Sequence, residues 1–544
     1  MKYWREKALS ANWLLWIPVV IVATFYAPGF GGFWHGDDLP NLHRAYALSL
    51  QGTLWPDTLR LFAEPVPSQG AFYRPMMMLS LSLNYALADS HYGGWYLVNF
   101  MVHVSNTLLV ALVVRRLADR FQCNATIAAP LAALFFGLCP ALAEGVYWVS
   151  ARADGWVTML SLAGLYSWAG NAVSPSPRSA LAFPLLLILA LGFKESAAVL
   201  PLQIALVAIA WPGTLSRVQR GTLIAALAAA AVFLMWRAYL FGNAWQVYAP
   251  VAGGGSGHFA KLWSSILSFG PWWSALTAAT RVFSILYLTC CATAALLLAF
   301  ARPAPQWRLA VALAGAGSGL ALATVLNIGA MSSLGEGGRL SYGPVAWLAL
   351  AAGVMLSTPH SSRSRTSRGR PAATAILALA AAVGCVVLWG HLRAAWAAQS
   401  NMRSMTLSIP LWAASHAGLT MLLVPENDGA VVMARNAQGG IVLEPVQKQA
   451  FLHRVVPTLS SEIQLRQEQF CRGMATRLEL VRPRLADAGT LAAISEPADT
   501  VWPKHVACWS TSRQQIVPLK APPMDASCDA WLASIRTDIE NCGR

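Results

Sequence analysis

Two adjacent carboxylates in the N-terminal part of the chain are the first candidates for chemistry. Asp37 and Asp38 follow an apolar stretch and precede the step Leu39-Pro40. Beside a membrane face, burial and like charge can raise the pKa of one carboxyl, or the pair can share a cation. A carboxylate within reach of a hydroxyl can also act as a general base. The structural alternative is a helix entry, since Asp shortly before Pro often starts a helix.

Further acids and cations lie between or beside apolar segments. They are Arg74, Glu144, Arg152, Asp154, Lys194, Glu195 and Arg339. Ionisable groups beside hydrocarbon are costly, so each is a functional candidate. Each also has a structural interpretation, in which Lys194 pairs with Glu195 or Asp154 and Arg339 reaches lipid headgroups. Taken together, separate loops that carry acids and Lys or Arg on one face could hold a phosphate.

A polar stripe lies inside one apolar segment. Asn99, His103 and Asn106 recur at helical spacing and therefore share a helix face. The stripe predicts hydrogen bonds to neighbouring helices, and a metal site is the alternative.

The composition indicates which elements position these residues. Of 544 residues, 56% are hydrophobic and 12% are charged, whereas soluble domains carry about a quarter charged residues. A single soluble core is excluded. The net charge of +15 would suggest nucleic acid in a soluble protein, but cytoplasmic loops of membrane proteins collect Lys and Arg. We therefore expect a mainly α-helical, multi-pass membrane protein that does not bind nucleic acid.

Eleven apolar segments are predicted to cross the membrane. They are residues 12–30, 95–114, 125–143, 155–172, 180–194, 196–212, 221–241, 282–300, 309–328, 343–358 and 371–390. With the N-terminus inside, every basic cluster between spans falls on the inner side, as the positive-inside rule requires. These clusters are Arg115-Arg116 with Arg120, Arg178, Arg217 with Arg220, Arg302 with Arg308, and the run Ser361–Arg370. An odd number of spans places the C-terminal region outside.

Two outer regions follow from this topology. The first outer loop, residues 31–94, contains the Asp pair and an apolar stretch, Pro75–Leu87, that predicts an interfacial helix. The C-terminal region, residues 391–544, predicts a small mixed α/β domain with strands at Leu419–Val424 and Ala430–Met433 and a loop-rich part from Pro483 to Asp529.

The cysteines divide between these regions. Those in or beside apolar segments are predicted to be packing residues: Cys123, Cys139, Cys290, Cys291 and Cys385. Four others lie in the polar tail: Cys471, Cys508, Cys528 and Cys542. In an oxidising compartment these four can form two disulfides, and the absence of a CxxC pair favours disulfides over zinc.

The order of these motifs resembles the GT-C membrane glycosyltransferases. The likeness is to the membrane part of protein O-mannosyltransferases with tetratricopeptide tails, and to bacterial relatives. The matching residues cover roughly 30–350 of this chain. They are Asp37-Asp38, Tyr73-Arg74-Pro75, Leu79-Ser80, Leu83-Asn84-Tyr85, Tyr96-Leu97-Val98-Asn99, His103, Asn106, Pro140, Glu144, Arg152-Ala153-Asp154, Lys194-Glu195, Glu336, Arg339-Leu340, Tyr342 and Pro344.

This resemblance implies an enzyme that transfers a sugar from a polyprenyl-phosphate carrier, with inversion, on the outer side of a bacterial inner membrane. Residues 1–390 would form the transferase domain. Asp37 would be the base, with Asp38 as a second acid or a ligand of a divalent cation such as Mg²⁺ or Mn²⁺. The remaining roles would fall to Arg74, Lys194 and Arg339 for the donor phosphate, and to Glu144, Arg152, Asp154, Glu195 and Tyr342 for the substrate.

The chain departs from the resembling enzymes in its tail, which lacks tetratricopeptide repeats. A glycan, a lipid or a secreted protein therefore remains open as acceptor. Two other functions stay as alternatives: an O-antigen-type ligase or polymerase, and a flippase or transporter of polyprenyl-linked glycans. The short late loop argues against the ligase. Polar residues gathered at one face, rather than at mid-membrane within repeats, argue against the transporter.

Overall fold

The computed structural model describes most of the first 414 residues and short stretches beyond them. The described residues are 13–34, 38–64, 72–171, 177–242, 278–300, 306–324, 338–359, 369–414, 420–424, 439–443, 505–510, 513, 515–520, 534 and 538. Contacts divide the chain into two compact units. The first comprises Met1–Gly31 and Leu48–Leu392, and the second comprises Gly32–Ala47 and Arg393–Arg544.

Helices form most of the described chain. In chain order they are α1 (Trp16–Tyr26), α2 (Asp38–Leu50), α3 (Leu54–Arg60), α4 (Pro75–Ala88), α5 (Tyr92–Arg120), α6 (Ala128–Gly137), α7 (Ala143–Tyr147), α8 (Arg152–Gly170), α9 (Pro177–Phe193), α10 (Leu200–Ile209), α11 (Arg217–Phe241), α12 (Ala278–Phe300), α13 (Trp307–Val311), α14 (Ser318–Ala323), α15 (Tyr342–Leu356) and α16 (Gly369–Ala414). A π-helical turn, Ala312–Gly317, joins α13 to α14.

Helices occupy each of the eleven predicted spans, although their lengths differ. In the described part, five helices are long and apolar enough to cross a membrane, or six if the bent pair Ala128–Gly137 and Pro140–Tyr147 is one span. That pair bends by 49°, at the point where Pro140 interrupts the helix because it cannot donate a backbone hydrogen bond. A multi-pass membrane chain is thus supported, and eleven crossings stay a prediction.

Helix α5 lies at the centre of the first unit, packed against α1, α6, α8 and α15. Small residues let these helices approach closely. A side chain at Gly137 would begin 2.5 Å from a methyl carbon of Val22 and 2.8 Å from the hydroxyl oxygen of Thr107. Likewise, a side chain added at Gly353 would begin 2.6 Å from a methyl carbon of Val114 in α5. Helix α5 also contacts α7, so it packs against the two helices that carry Glu144 and Asp154.

The predicted helix after Tyr73-Arg74 is present as α4, with Pro75 at its first position. Proline suits this position because the first helical N–H has no partner within the helix. Its location at a membrane surface stays a prediction. Helix α2 begins at Asp38, as the helix-entry interpretation of the Asp pair expects.

The second unit contains a four-stranded sheet of order β4-β3-β5-β6. Its strands are β3 (Thr420–Val424), β4 (Gly439–Leu443), β5 (His505–Ser510) and β6 (Gln515–Leu519). Strand β3 confirms the strand predicted at Leu419–Val424. It pairs antiparallel with β4 and parallel with β5, placing Thr420 opposite both Leu443 and His505. A two-residue pair in the first unit, β1 (Cys123–Asn124) with β2 (Thr358–Pro359), completes the described strands.

Two tail predictions have different outcomes. Strands β5 and β6 lie between Pro483 and Asp529, where the sequence predicted no strand, and the loop-rich character of the remainder stays a prediction. The apolar residues of the two strands form short consecutive runs, Val506–Trp509 and Ile516–Val517, which are hard to recognise as strands between polar flanks. The strand predicted at Ala430–Met433 lies outside the described residues.

The five cysteines of the apolar segments form no disulfide within the described residues. Three of them are buried and two are partly exposed, which fits the predicted packing role. The disulfide prediction lies outside what the structure describes. Cys471, Cys528 and Cys542 are outside the described residues, and only the backbone of Cys508, in β5, is described.

Candidate functional site

Arg74 and Glu195 form a two-pronged ion pair across 121 residues of sequence. The Nε and Nη2 atoms of Arg74 donate to the two carboxylate oxygens of Glu195 at 3.2 and 2.9 Å. Arg74 lies just before Pro75 of α4, and Glu195 opens the short helical turn that joins α9 to α10. The ring of Phe72 lies 4.4 Å from the guanidinium carbon. This parallel fork is the strongest geometry for an arginine and a carboxylate.

Glu195, at the hairpin between two apolar helices, is held in its charged form. Burial raises the pKa of this carboxyl, but the charge and hydrogen bonds of Arg74, together with the charge of Lys194, lower it to about 2. The group is therefore ionised at neutral pH. Removing one partner of such a buried pair costs about 3–5 kcal/mol, because the remaining charge is left in a poor solvent.

Lys194 pairs with Asp154 rather than with its neighbour Glu195. Its Nζ donates to Asp154 Oδ1 at 2.6 Å, which decides between the two partners that the sequence allowed. Lys194 has an extended backbone before the turn, and this directs its side chain away from that of Glu195. Since residues 194 and 195 are adjacent, the first two ion pairs are physically joined.

A third pair joins Arg339 to Glu144. Arg339 Nη1 donates to one carboxylate oxygen at 2.5 Å, and its backbone N–H donates to the other at 2.9 Å. The guanidinium also lies over the ring of Trp148 at 4.3 Å. Glu144 is only 2% exposed. These contacts pair Arg339 with Glu144 inside the protein, and the alternative in which Arg339 reaches lipid headgroups stays a prediction.

Tyr342 connects the second and third pairs. Its ring lies 3.1 Å from where a side chain on Gly145, the neighbour of Glu144, would begin. Its hydroxyl hydrogen-bonds with Nδ1 of His103 and lies 3.9 Å from where a side chain on Gly155, the neighbour of Asp154, would begin. The three ion pairs are thus parts of one connected polar region in the first unit.

The polar stripe of α5 holds neighbouring segments by hydrogen bonds, as predicted. The amide nitrogen of Asn99 donates to the carbonyl of Trp148 at 3.0 Å, and that of Asn106 donates to the carbonyl of Gly155 at 2.9 Å. His103 Nε2 lies 3.0 Å from the carbonyl oxygen of Gly137. The stripe therefore positions the short helix that carries Glu144 and the start of α8, which carries Arg152 and Asp154.

Arg152 is buried at the start of α8 and connects this helix to α4 by hydrogen bonds. It is 1% exposed, and it donates to Asn84 Oδ1 at 2.5 Å and to the carbonyl of Val149 at 3.2 Å. A third bond reaches the carbonyl of Trp95 at 3.3 Å. These bonds fix the start of α8, two residues before Asp154. Direct contact between Arg152 and a sugar stays a prediction.

Arg237 belongs to the same charged region, although the sequence analysis did not select it. It lies near the end of α11, is fully buried, and interacts electrostatically with both Glu195 and Arg74. One turn earlier, the ring of Phe233 packs 5.9 Å from that of Tyr73. An arginine within an apolar span was itself a signal of a functional group.

A narrow cleft opens beside the second ion pair. It encloses about 50 Å³ between α8, α10, α14 and α15, with Asp154, Ser196 and Thr324 among its polar lining residues and Leu162 and Trp347 among the apolar ones. The side chain of Gln203, also in its lining, donates to the carbonyl of Gly317 at 2.6 Å. The cleft thus runs from a charged group to apolar helix surfaces.

The Asp pair is described in part. Asp37 lies outside the described residues, and Asp38 is buried at the first position of α2 in the second unit. Within the described chain there is no group of three or more His, Cys, Asp or Glu residues placed to hold a metal ion. The predicted cation at Asp38 therefore stays a prediction.

The chain has a distant structural likeness to a known enzyme. No protein-family model matches the chain, and no curated protein matches it significantly. Among solved structures, the arabinofuranosyltransferase AftD from Mycobacteria, determined by single-particle cryo-EM, aligns with a TM-score of 0.45 and 16% identity. The alignment covers 76% of this chain and 29% of that chain, so the chain spans less than a third of that neighbour's length. We take the function from the geometry of the site.

Proposed function

We propose that this protein is a membrane glycosyltransferase that moves a sugar from a polyprenyl-phosphate carrier to an acceptor on the outer side of the membrane. The observation that carries the proposal is the set of three buried or partly buried ion pairs in the first unit. Each pair contains one cation assigned to the donor phosphate by the motif order, namely Arg74, Lys194 or Arg339. Charged groups are retained beside hydrocarbon where a charged substrate must be bound.

The pairs also suit a site that binds an anion. Without substrate, Glu195, Asp154 and Glu144 neutralise the cations and keep them oriented. Two oxygens of a phosphate can accept a forked pair of hydrogen bonds from an arginine, as a carboxylate does, so a phosphate can take over part of these bonds. The narrow cleft of about 50 Å³ beside Asp154 is lined by apolar as well as polar side chains, and the helices around it would have to move apart to admit a lipid carrier.

The proposed reaction is a single displacement that uses these charges. The acceptor hydroxyl oxygen bonds to the anomeric carbon while the bond from that carbon to the phosphate oxygen breaks. The electron pair of the broken bond goes to the phosphate, and the acceptor proton goes to Asp37. Negative charge grows on the phosphate during this step, so the cations stabilise the transition state more than the bound donor. Displacement at one carbon in one step inverts its configuration.

Substitution of the cations tests the proposal. The assay uses full-length protein in lipid nanodiscs, radiolabelled undecaprenyl-phosphate pentose or hexose as donor, and a periplasmic glycan extract as acceptor. We expect Lys194→Gln to lower the rate of donor consumption about 100-fold. Arg60→Gln is the matched control, because Arg60 is 68% exposed and forms a surface ion pair with Asp57. Such pairs contribute little, so its rate should equal that of the wild type.

Two results would contradict the proposal. One is a wild-type protein that consumes neither donor. The other is Lys194→Gln, Arg74→Gln and Arg339→Gln variants that elute as folded protein and all keep the rate of the Arg60→Gln control.

A further inference from the structure

Glu195 interacts with two arginines that differ in accessibility, and α11, which carries one of them, packs against the turn that Glu195 opens. Arg74 binds it with two hydrogen bonds and has 18% of its side chain exposed. Arg237 interacts with the same carboxylate from α11 and is fully buried. The stacking of Phe233 against Tyr73 places this face of α11 beside the segment that carries Arg74. Both guanidinium groups are therefore attracted to the carboxylate of Glu195, and they repel each other.

We propose that Arg237 is the permanent counter-ion of Glu195 and thereby releases Arg74 to bind an incoming lipid phosphate. This inference rests on the proposed function, because it assumes a phosphate-bearing donor. It assigns Arg237 as a positioning residue, one that acts through Arg74 without touching the donor.

The exchange is favoured by charge and geometry. Among Arg74, Arg237 and Glu195 the net charge is one positive, which matches the single negative charge of a sugar–phosphate diester. A buried carboxylate stripped of its partner is strongly disfavoured, and Arg237 prevents that state when Arg74 moves. Arg74 suits the moving role since it is the more exposed arginine and presents a planar fork that fits phosphate as well as carboxylate.

The position of Arg74 on the chain allows the movement. It lies outside the helical region, at the residue before Pro75, with a backbone φ of −137° and ψ of 53°. Arg237, by contrast, is held within the 25-residue helix α11. The flexible side chain thus begins at a helix entry, and the fixed one within a helix.

Binding of undecaprenyl phosphate, compared with undecaprenol, tests the inference in full-length protein in nanodiscs. We expect Arg237→Met to weaken phosphate binding about tenfold, because Arg74 is then needed to neutralise Glu195. The double variant Arg237→Met/Glu195→Gln removes that demand, so its affinity should return to within about threefold of the wild type. Arg237→Lys keeps the charge and should also stay within about threefold. Arg220→Met, at the exposed opposite end of the same helix, is the control and should bind as the wild type does.

Each other outcome overturns the inference. Equal binding by Arg237→Met and wild type shows that Arg74 needs no release. Loss in the double variant, or in Arg237→Lys, as large as in Arg237→Met indicates a structural role. A wild-type protein that binds undecaprenyl phosphate no more tightly than undecaprenol contradicts the proposed donor as well, whereas a wild type that prefers the phosphate leaves the proposed function standing.

Discussion

Single residues of the first unit show how charge is kept inside an apolar protein. Arg74, Lys194 and Arg339 each have a carboxylate partner at 2.5–2.9 Å. An isolated charge in this environment would be expensive, and a paired one is tolerated if its hydrogen bonds are satisfied. The resting protein therefore already contains the anions that a phosphate would replace, which keeps the cations oriented before the donor arrives.

Asp37 is the residue whose role is most directly testable. Asp37→Asn keeps the side-chain volume and removes the proton acceptor, so we expect transfer from a polyprenyl-phosphate sugar to fall by roughly 10²–10⁴-fold. Binding of undecaprenyl phosphate should not change, because the proposed phosphate cations are untouched. The measurement is turnover and lipid binding on the same nanodisc preparation.

Asp57→Asn provides the control for this change, as Asp57 pairs with the exposed Arg60. A normal rate in Asp37→Asn would reject Asp37 as the base. If Asp38→Asn were then inactive while it still bound the lipid, the role would pass to the second aspartate.

The sequence predicted which residues carry charge beside the apolar segments but not how they pair. Residues 74 and 195 are 121 positions apart, and no local pattern relates them. For Lys194 the local neighbour Glu195 and the distant Asp154 were equally acceptable, and the extended backbone at Lys194 decided for Asp154. Arg237 was missed because its neighbours form an otherwise ordinary apolar helix.

At the scale of elements, helix α11 shows a start and an end that its sequence specifies. Ser216 Oγ accepts from the backbone N–H of Gln219 at 3.1 Å, and Gln219 Oε1 accepts from the N–H of Ser216 at 3.0 Å. Gly242 ends the helix with φ of +71°, a left-handed conformation that glycine adopts without strain. These boundaries fix the position of Arg237, which lies about one turn before the end.

Ser216→Ala tests the contribution of this cap. The substitution removes the bond from Gln219 and a second bond, from Ser216 Oγ to the carbonyl of Asn171 at 3.1 Å. We expect a loss of about 1 kcal/mol in the free energy of unfolding, measured by denaturant titration in detergent. Thr214→Ala, at an exposed position in the same loop, should change it by less than about 0.5 kcal/mol. Equal stability of the two variants would show that the cap contributes nothing.

The tail shows why some elements were predicted and others were not. The run Thr420–Val424 is apolar and bounded by a turn sequence, so its strand could be recognised. Its parallel partner, His505–Ser510, lies more than 80 residues away. The sequence of neither segment indicates which distant strand it pairs with. Strand existence was thus partly readable from the sequence, but sheet order was not.

For the whole molecule, topology decides whether the proposed site faces the right compartment. The basic clusters between apolar segments fall on one side only if the number of preceding crossings is correct. Eleven crossings place the C-terminal region opposite the N-terminus, and so would the five long helices alone, whereas six would return it to the same side. The side on which the chain ends therefore separates these possibilities.

Alkaline phosphatase fusions measure this directly, because the enzyme is active only outside the cytoplasm, where its disulfides form. We expect no activity from fusions after Gly213 and after Arg365, both in predicted inner loops, and full activity from a fusion after Arg544. Comparable amounts of each fusion on immunoblots are the control. Activity after Arg365 without activity after Arg544 would reverse the orientation. It would also place Cys471, Cys508, Cys528 and Cys542 in a reducing compartment, where the two predicted disulfides could not persist.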